Sequence, residues 1–330
     1  MTLFDRREFF ALGSVLLLAQ ASAQERRSLR PSKLSPPPTP KALPQAWLDA
    51  PSIPIWPDEP PAAAGFAPQA LPSDWPPVFL RNVSKPDLHV FRPMRPNGHA
   101  LLVVPGGAYQ FVSVANEGVD VGARMTALGM TVFVLTYRLP GEGWPHRADV
   151  PLQDAQRAMR VIRSEASRFD IDADKVSVLG FSAGGHLAAT LATLHAEPTY
   201  DAVDATDRLS PRPFAAALVY PVVTMMKPWT HELSRNLLLG EMPTDAEVER
   251  RSAERHVDAA TPPAFIVHAM DDPAVPVENS LRMMSAMREA KRPVEAHFLQ
   301  EGGHAFGVGY PGTPSAQWID LFSAWLGRLS

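Results

Sequence analysis

From Lys85 onward, apolar and polar positions alternate in long blocks. Nearly uninterrupted apolar runs, LHVFRP, ALLVVPGG, TVFVLTYR, KVSVLGF, FAAALVYP, AFIVHAM and VEAHFL, read as strands. Between several of them, apolar residues recur every third or fourth position: Gly118–Leu128, Leu152–Ser167, Ala183–His195, Glu278–Ala290 and, last, Ser315–Leu329. These spacings predict amphipathic helices. Strands that are apolar on both faces and alternate with helices predict an α/β fold, with a mostly parallel, twisted sheet covered by helices on both sides. One interval breaks the rhythm. Residues 222–263 separate two strands by far more than an ordinary connection, which predicts an insertion acting as a lid or a substrate-facing wall.

Ahead of this region the pattern is different. In residues 1–23, MTLFDRREFFALGSVLLLAQASA, two adjacent arginines precede a short apolar run and a small-residue cleavage site. This predicts a signal peptide of the twin-arginine type and a periplasmic or secreted mature protein. Prolines crowd residues 31–77, and proline fixes φ and removes a backbone donor. We therefore expect a proline-rich linker over 24–50. The domain itself is expected over 51–330, with its first stretch, holding Ile53, Ile55, Trp56 and Trp75, lying along the domain surface to shelter those side chains.

Composition narrows the chemistry. The net charge of −4 offers no basic footprint for nucleic acid, and no later run is long and apolar enough to span a membrane. The chain has no cysteine, which excludes disulfides, thiolate metal sites and a cysteine nucleophile. No spacing matches a metal motif such as H-E-x-x-H, and no cofactor is implied.

What remains is serine chemistry. Gly180-Phe181-Ser182-Ala183-Gly184 sits where an apolar strand meets a row of small helix formers. A turn that sharp strains its central residue, and glycines two before and two after remove side chains that would collide. The hydroxyl is then raised at the sheet edge beside a helix N-terminus, where N–H groups are free. A serine needs a base, and the base needs an orienting carboxylate. Past Ser182 the histidines are His231, His256, His268, His297 and His304. The first two fall in the insertion and the next two inside strands. His304, in a glycine-rich loop after the last strand, is the expected base. The acid is expected in MDDPAVPVENS: Asp272 opens D-P-A-V-P and is favoured over its neighbour Asp271, with Glu278 starting the next helix. Oxyanion donors are expected from the Gly106-Gly107-Ala108-Tyr109 turn after ALLVVP and from the Ala183 N–H.

PGGAY, Glu117-Gly118, Tyr137-Arg138-Leu139-Pro140, GFSAGGHLA, TPPAF, DDPAVPVENS and GGHAFG form an ordered series. It resembles α/β-hydrolases of the bacterial acetylxylan esterase type, related to feruloyl-esterase-like and hormone-sensitive-lipase-related enzymes, from about Ile53 to the end of the chain. The resemblance implies a triad of Ser182, Asp272 and His304, oxyanion donors at Gly107, Ala108 and Ala183, and short acyl (acetyl) esters of carbohydrate, such as acetylated xylan or its oligosaccharides, as substrate. It departs at Ala108, where many relatives carry a third glycine, and at Pro105, where HGGG-type relatives carry histidine. A feruloyl or general carboxylesterase is the alternative. A prolyl-oligopeptidase-like peptidase lacks room for its propeller, and a non-catalytic carbohydrate-binding homologue would not need the triad. Tyr109 and Trp229 are candidates to stack on a sugar face. Glu117 is a candidate to bind a hydroxyl or cap a helix. His231, with Ser234 and Arg235, is a candidate wall of the substrate site.

Overall fold

The computed structural model of the protein describes residues 38–329. The expected signal segment 1–23 lies outside the described residues, as does most of the expected linker. Where that linker is described, the structure shortens it: Gln45–Asp49 is a helical turn (α1) whose Trp47 is buried and stacks on His89 with ring centroids 3.6 Å apart. The packed unit therefore begins before Pro51, because a buried indole holds the chain there.

Ten strands follow: β1 (Ser52–Pro54), β2 (Phe79–Leu80), β3 (Asp87–Phe91), β4 (Ala100–Val104), β5 (Val112–Ser113), β6 (Thr131–Leu135), β7 (Val176–Phe181), β8 (Ala216–Val219), β9 (Ala264–Ala269) and β10 (Val294–Leu299). Eight of them form one sheet in the order β1-β3-β6-β4-β7-β8-β9-β10, and β2 and β5 form a separate pair. From β6 to β10 every pairing is parallel, while β1 and β3 join antiparallel at one edge. The central strands β4, β6, β7, β8 and β9 are buried along their whole length, which is why their sequences do not alternate.

The helices are α2 (Asp120–Ala127), α3 (Val150–Ser164), α4 (Ser182–Thr193), α5 (Glu232–Leu239), α6 (Asp245–Arg250), α7 (Glu278–Glu289) and α8 (Trp318–Gly327). Parallel strands need right-handed crossovers, so a connection stepping left across the sheet and one stepping right carry their helices on opposite faces. Accordingly α2, between β4 and β6, shares a face with α8, and Arg124 reaches Asp320 at 3.9 Å. Helices α3 and α4 pack against each other on the other face.

The segment from Pro51 does ride on the domain, as its hydrophobic residues require. Ile55 and Trp56 are buried, and the Trp56 Nε1–H donates to Asp154 at 2.8 Å. Asp154 also pairs with Arg138 at 2.8 Å, both side chains fully buried, and Arg138 donates to the Pro61 carbonyl at 2.6 Å. A buried charge pair without further hydrogen bonds would be a liability. Here a ring N–H and a backbone carbonyl complete it and pin the proline-rich segment. The insertion 222–263 holds α5 and α6, neither of which its sequence announced. It is anchored by Arg250 and Arg251 on Asp149 and Glu197.

Candidate active site

All the chemistry-bearing loops leave the same edge of the sheet, at the carboxyl ends of β4, β7, β9 and β10. Ser182 follows β7 at once, with φ of +51°, a conformation costly for a residue with a side chain. The flanking glycines explain how it is tolerated. A Cβ on Gly180 would lie 2.2 Å from the Gly184 carbonyl oxygen, and one on Gly184 would lie 2.2 Å from that of Val104. The Ser182 hydroxyl is 2.9 Å from His304 Nε2, and His304 Nδ1 is 2.7 Å from Asp272 Oδ2. With the carboxylate accepting at Nδ1–H, Nε2 is left to accept the serine proton.

The two competing aspartates divide the work. Asp272 faces His304, and its other oxygen accepts from the Ala274 and Val275 N–H groups at 2.8 and 2.9 Å. Asp271 accepts from Gly302 and Gly303 at 2.9 and 2.8 Å and so holds the loop that carries His304. Burial alone would raise the Asp272 pKa. Hydrogen bonds from His268 and His304, with the positive charge that either ring carries when protonated, outweigh it and hold the carboxyl well below the usual range.

His268 is a partner that sequence reasoning set aside as a strand residue. It is fully buried, with Nε2 3.2 Å from Asp272 Oδ2 and 3.1 Å from the Val275 carbonyl, and Nδ1 2.8 Å from the Ser280 hydroxyl. Both oxygens facing Nε2 are acceptors, so the ring is protonated there and supports the carboxylate from behind. Its place at the end of β9, four residues before Asp272, was the available signal.

The turn after β4 takes up unusual dihedrals, with φ of +128° at Gly107, +57° at Ala108 and +61° at Tyr109. Gly107 cannot be otherwise, since a Cβ there would meet the Phe111 carbonyl oxygen at 2.1 Å. The turn is closed by the Gln110 and Phe111 N–H groups donating to the Gly107 carbonyl at 2.8 and 3.1 Å. Gly107, Ala108 and Ser182 line one cavity of about 430 Å³ together with His304 and His231. Ala183 is the second residue of α4, where a backbone N–H has no partner within the helix.

The remaining candidates separate. His231 lines the cavity, with Nδ1 2.8 Å from the Ser234 hydroxyl, and burial, then the neighbouring His304, pulls its pKa below the ordinary value. Arg235 instead donates to the Met225 carbonyl at 3.1 Å and braces the loop. Tyr109 does not fit the sugar-stacking expectation. It is 1% exposed, and its hydroxyl donates to His186 Nδ1 at 2.7 Å, so no ring face is open. Trp229 does not fit it either: it is not among the cavity residues, and the Arg282 guanidinium lies 5.6 Å over its ring. Glu117 borders the cavity but is buried, accepting from the Gly106 N–H at 2.7 Å and the Tyr220 hydroxyl at 2.8 Å. It serves the loop rather than a helix cap. Pro38, Pro40, Val78, Phe79 and Phe111 give the cavity an apolar side, while Thr39, Ser113, Asn116 and Asp120 add polar groups to its wall. Among the described residues no cluster of three or more His, Asp or Glu is arranged to hold a metal, and no helix is long and apolar enough to cross a membrane.

The family pattern BD-FAE matches residues 88–287, a stretch that contains Ser182 and Asp272. The chain belongs to the BD-FAE family. Two curated relatives are similar over somewhat more than two thirds of the chain. Endo-1,4-beta-xylanase B of Butyrivibrio fibrisolvens is 36% identical over 69% of this chain and 34% of its own length. Acetylxylan esterase of Xylanibacter ruminicola is 33% identical over 70% of this chain and 46% of its own. The match thus spans less than half the length of either relative. Among solved structures, the acetyl ester-xyloside bifunctional hydrolase of Caldicellulosiruptor lactoaceticus superposes with a TM-score of 0.71 at 31% identity, covering 85% of this chain and 96% of that one. The BD-FAE member described here has the mostly parallel sheet expected from its strand and helix pattern and the α/β-hydrolase fold that its motif series implied.

Proposed function

We propose that the protein is a serine carboxylic ester hydrolase acting on short-chain, chiefly acetyl, esters of carbohydrate, with acetylated xylan oligosaccharides as the substrate class. The observation that carries this reading is the line from Asp272 through His304 to Ser182, at 2.7 and 2.9 Å, on the cavity that Gly107 and Ala108 border. The similarity to an acetylxylan esterase and to an acetyl ester-xyloside hydrolase supports the substrate class.

The Ser182 oxygen attacks the ester carbonyl carbon as its proton passes to His304 Nε2. The carbonyl oxygen becomes an oxyanion, received by the N–H groups of Gly107, Ala108 and Ala183. Each such donor is worth roughly 3–4 kcal/mol to the transition state. His304 returns the proton to the departing alcohol, leaving an acyl group on Ser182. Water, deprotonated by the same imidazole, then releases the acid. Asp272 holds the imidazole with Nδ1 protonated and stabilises its cationic form.

The test is turnover of 4-nitrophenyl acetate and acetate release from acetylated xylo-oligosaccharides by the wild type and Ser182→Ala. The substitution should lower kcat by more than about 10³-fold, leaving only what binding and the oxyanion donors supply. Undiminished turnover in Ser182→Ala would overturn the reading. The apolar walls at Val78, Phe79 and Phe111 favour a second reading, a feruloyl or general carboxylesterase. It is supported if 4-nitrophenyl octanoate or a feruloyl ester is cleaved faster than acetate. We also propose export to the periplasm or beyond through residues 1–23, on the strength of Arg6-Arg7 and the apolar run behind them. Arg6→Lys with Arg7→Lys should keep the protein in the cytoplasmic fraction.

A further inference from the structure

The buried carboxyl of Glu117 has no part in the triad, yet it lies between both halves of the site. Its Oε2 accepts from Gly106 N–H at 2.7 Å, one residue before the oxyanion turn. A Cβ on Gly106 would be 2.8 Å from Ser182 Cβ and 2.9 Å from this same oxygen, so Gly106 lies closely against both the nucleophile and the carboxyl. Its Oε1 accepts from the Tyr220 hydroxyl at 2.8 Å. That phenol oxygen in turn accepts from Gly307 N–H at 3.0 Å, three residues beyond His304. Tyr220 follows β8 at once with φ of +37°, a costly conformation for an aromatic residue, and its ring packs on the His304 ring with centroids 4.9 Å apart. A second tie runs alongside, from Asn116 Nδ2 to the Ala305 carbonyl at 3.3 Å.

We propose that Glu117 is a positioning residue which, through Gly106 on one side and Tyr220 on the other, fixes the oxyanion turn and the His304 loop relative to each other, and whose carboxylate supports the imidazolium formed when Ser182 loses its proton. Every group aimed at this carboxyl is a donor, which serves its charged form. Burial raises its pKa, and the Gly106 and Tyr220 bonds and the neighbouring His304 work against that rise. Burial, with Glu117 beside it, keeps the Tyr220 phenol protonated and able to donate. The other titratable groups around the network are Asp272, Asp120, His231 and Tyr137. None of them contacts both loops.

The role rests on the serine esterase reading, and the experiment separates the two. Glu117→Gln and Tyr220→Phe, both close to the original in volume, are assayed with 4-nitrophenyl acetate from acid to neutral pH beside Ser182→Ala, with melting temperatures measured for each. Glu117→Gln should lower kcat by about 10–100-fold with KM changed less than about threefold, the signature of an interaction made in the transition state. It should also move the acid limb of kcat/KM to lower pH, because removing a negative charge makes the imidazolium easier to deprotonate. Tyr220→Phe should lower kcat by about 3–30-fold with a smaller movement of the limb, since the carboxylate stays but its link to Gly307 is gone. Wild-type kcat and acid limb in both variants would overturn the role, as would losses confined to KM or melting temperature. Should Glu117→Gln fail to fold, Tyr220→Phe decides alone: an unchanged kcat overturns the proposal. Activity surviving in Ser182→Ala overturns the esterase reading itself.

Discussion

Ser182 and His186 lie one turn apart on α4, and each meets a different kind of imidazole environment. At Ser182 the histidine arrives from outside the helix. His304 sits on a loop, its side chain 20% exposed, with one ring nitrogen on a carboxylate and the other on a hydroxyl. One turn on, His186 is itself sealed in the core, between the Tyr109 hydroxyl and the Arg251 carbonyl, both at 2.7 Å. Burial first, and then the charge of Arg251, brings its pKa down to about 4, so it stays neutral. The difference is the carboxylate. An imidazole backed by Asp272 can take up and hold a proton, whereas one backed by a phenol and a carbonyl is a fixed strut.

The largest effect that would break this contrast is Asp272→Asn. The triad geometry is nearly kept but the charge and the imposed tautomer are lost, so kcat on 4-nitrophenyl acetate should fall by about 10⁴-fold. A loss below tenfold would mean that the carboxylate is not what separates His304 from His186. Next is stability against pH. His186 binds its proton less readily folded than unfolded, so the unfolded chain gains protons first as pH falls below about 6.5. Stability should therefore decline from about pH 6.5 down to about pH 4, by up to roughly 3 kcal/mol from this residue. Melting curves over that range should be flatter for His186→Gln than for the wild type, and parallel slopes would refute the neutral-strut description. A smaller effect is expected from Tyr109→Phe, which leaves the buried His186 Nδ1 without its donor. It should cost about 1–2 kcal/mol in denaturant unfolding, with KM for acetylated xylo-oligosaccharides within twofold of wild type. A large rise in KM would restore Tyr109 as a sugar contact. The smallest is Asp271→Asn, which keeps an acceptor for Gly302 and Gly303 and should lower kcat less than about tenfold.

Much of this was legible in the chain. Continuous apolar runs gave the central strands because both faces of those strands are covered. The elbow around Ser182 could be read because only glycine fits where a Cβ would meet a carbonyl oxygen at 2.2 Å. His304 was reached by asking which histidine follows the last strand. What stayed hidden depends on packing across the sequence. His268 looked like an interior strand residue, and only the fold turns it toward Asp272. Tyr109 and Trp229 have the composition of sugar platforms, and nothing local says that one is sealed under His186 and the other covered by Arg282. The short strands β1, β2 and β5 and helices α5 and α6 were missed, because two or three paired residues leave no period and the insertion lacks a clean apolar stripe. Trp47 ends the linker early by a contact with His89, forty-two positions away.

Pro38, Thr39 and Pro40 border the same cavity as Ser182, and the indole of Trp47 moors them there. These three residues are consequently part of the wall that a substrate entering the proposed ester site would meet. A bulkier side chain at Thr39 would narrow that approach, and a weaker apparent affinity in such a variant would belong to the entrance and not to the reacting groups.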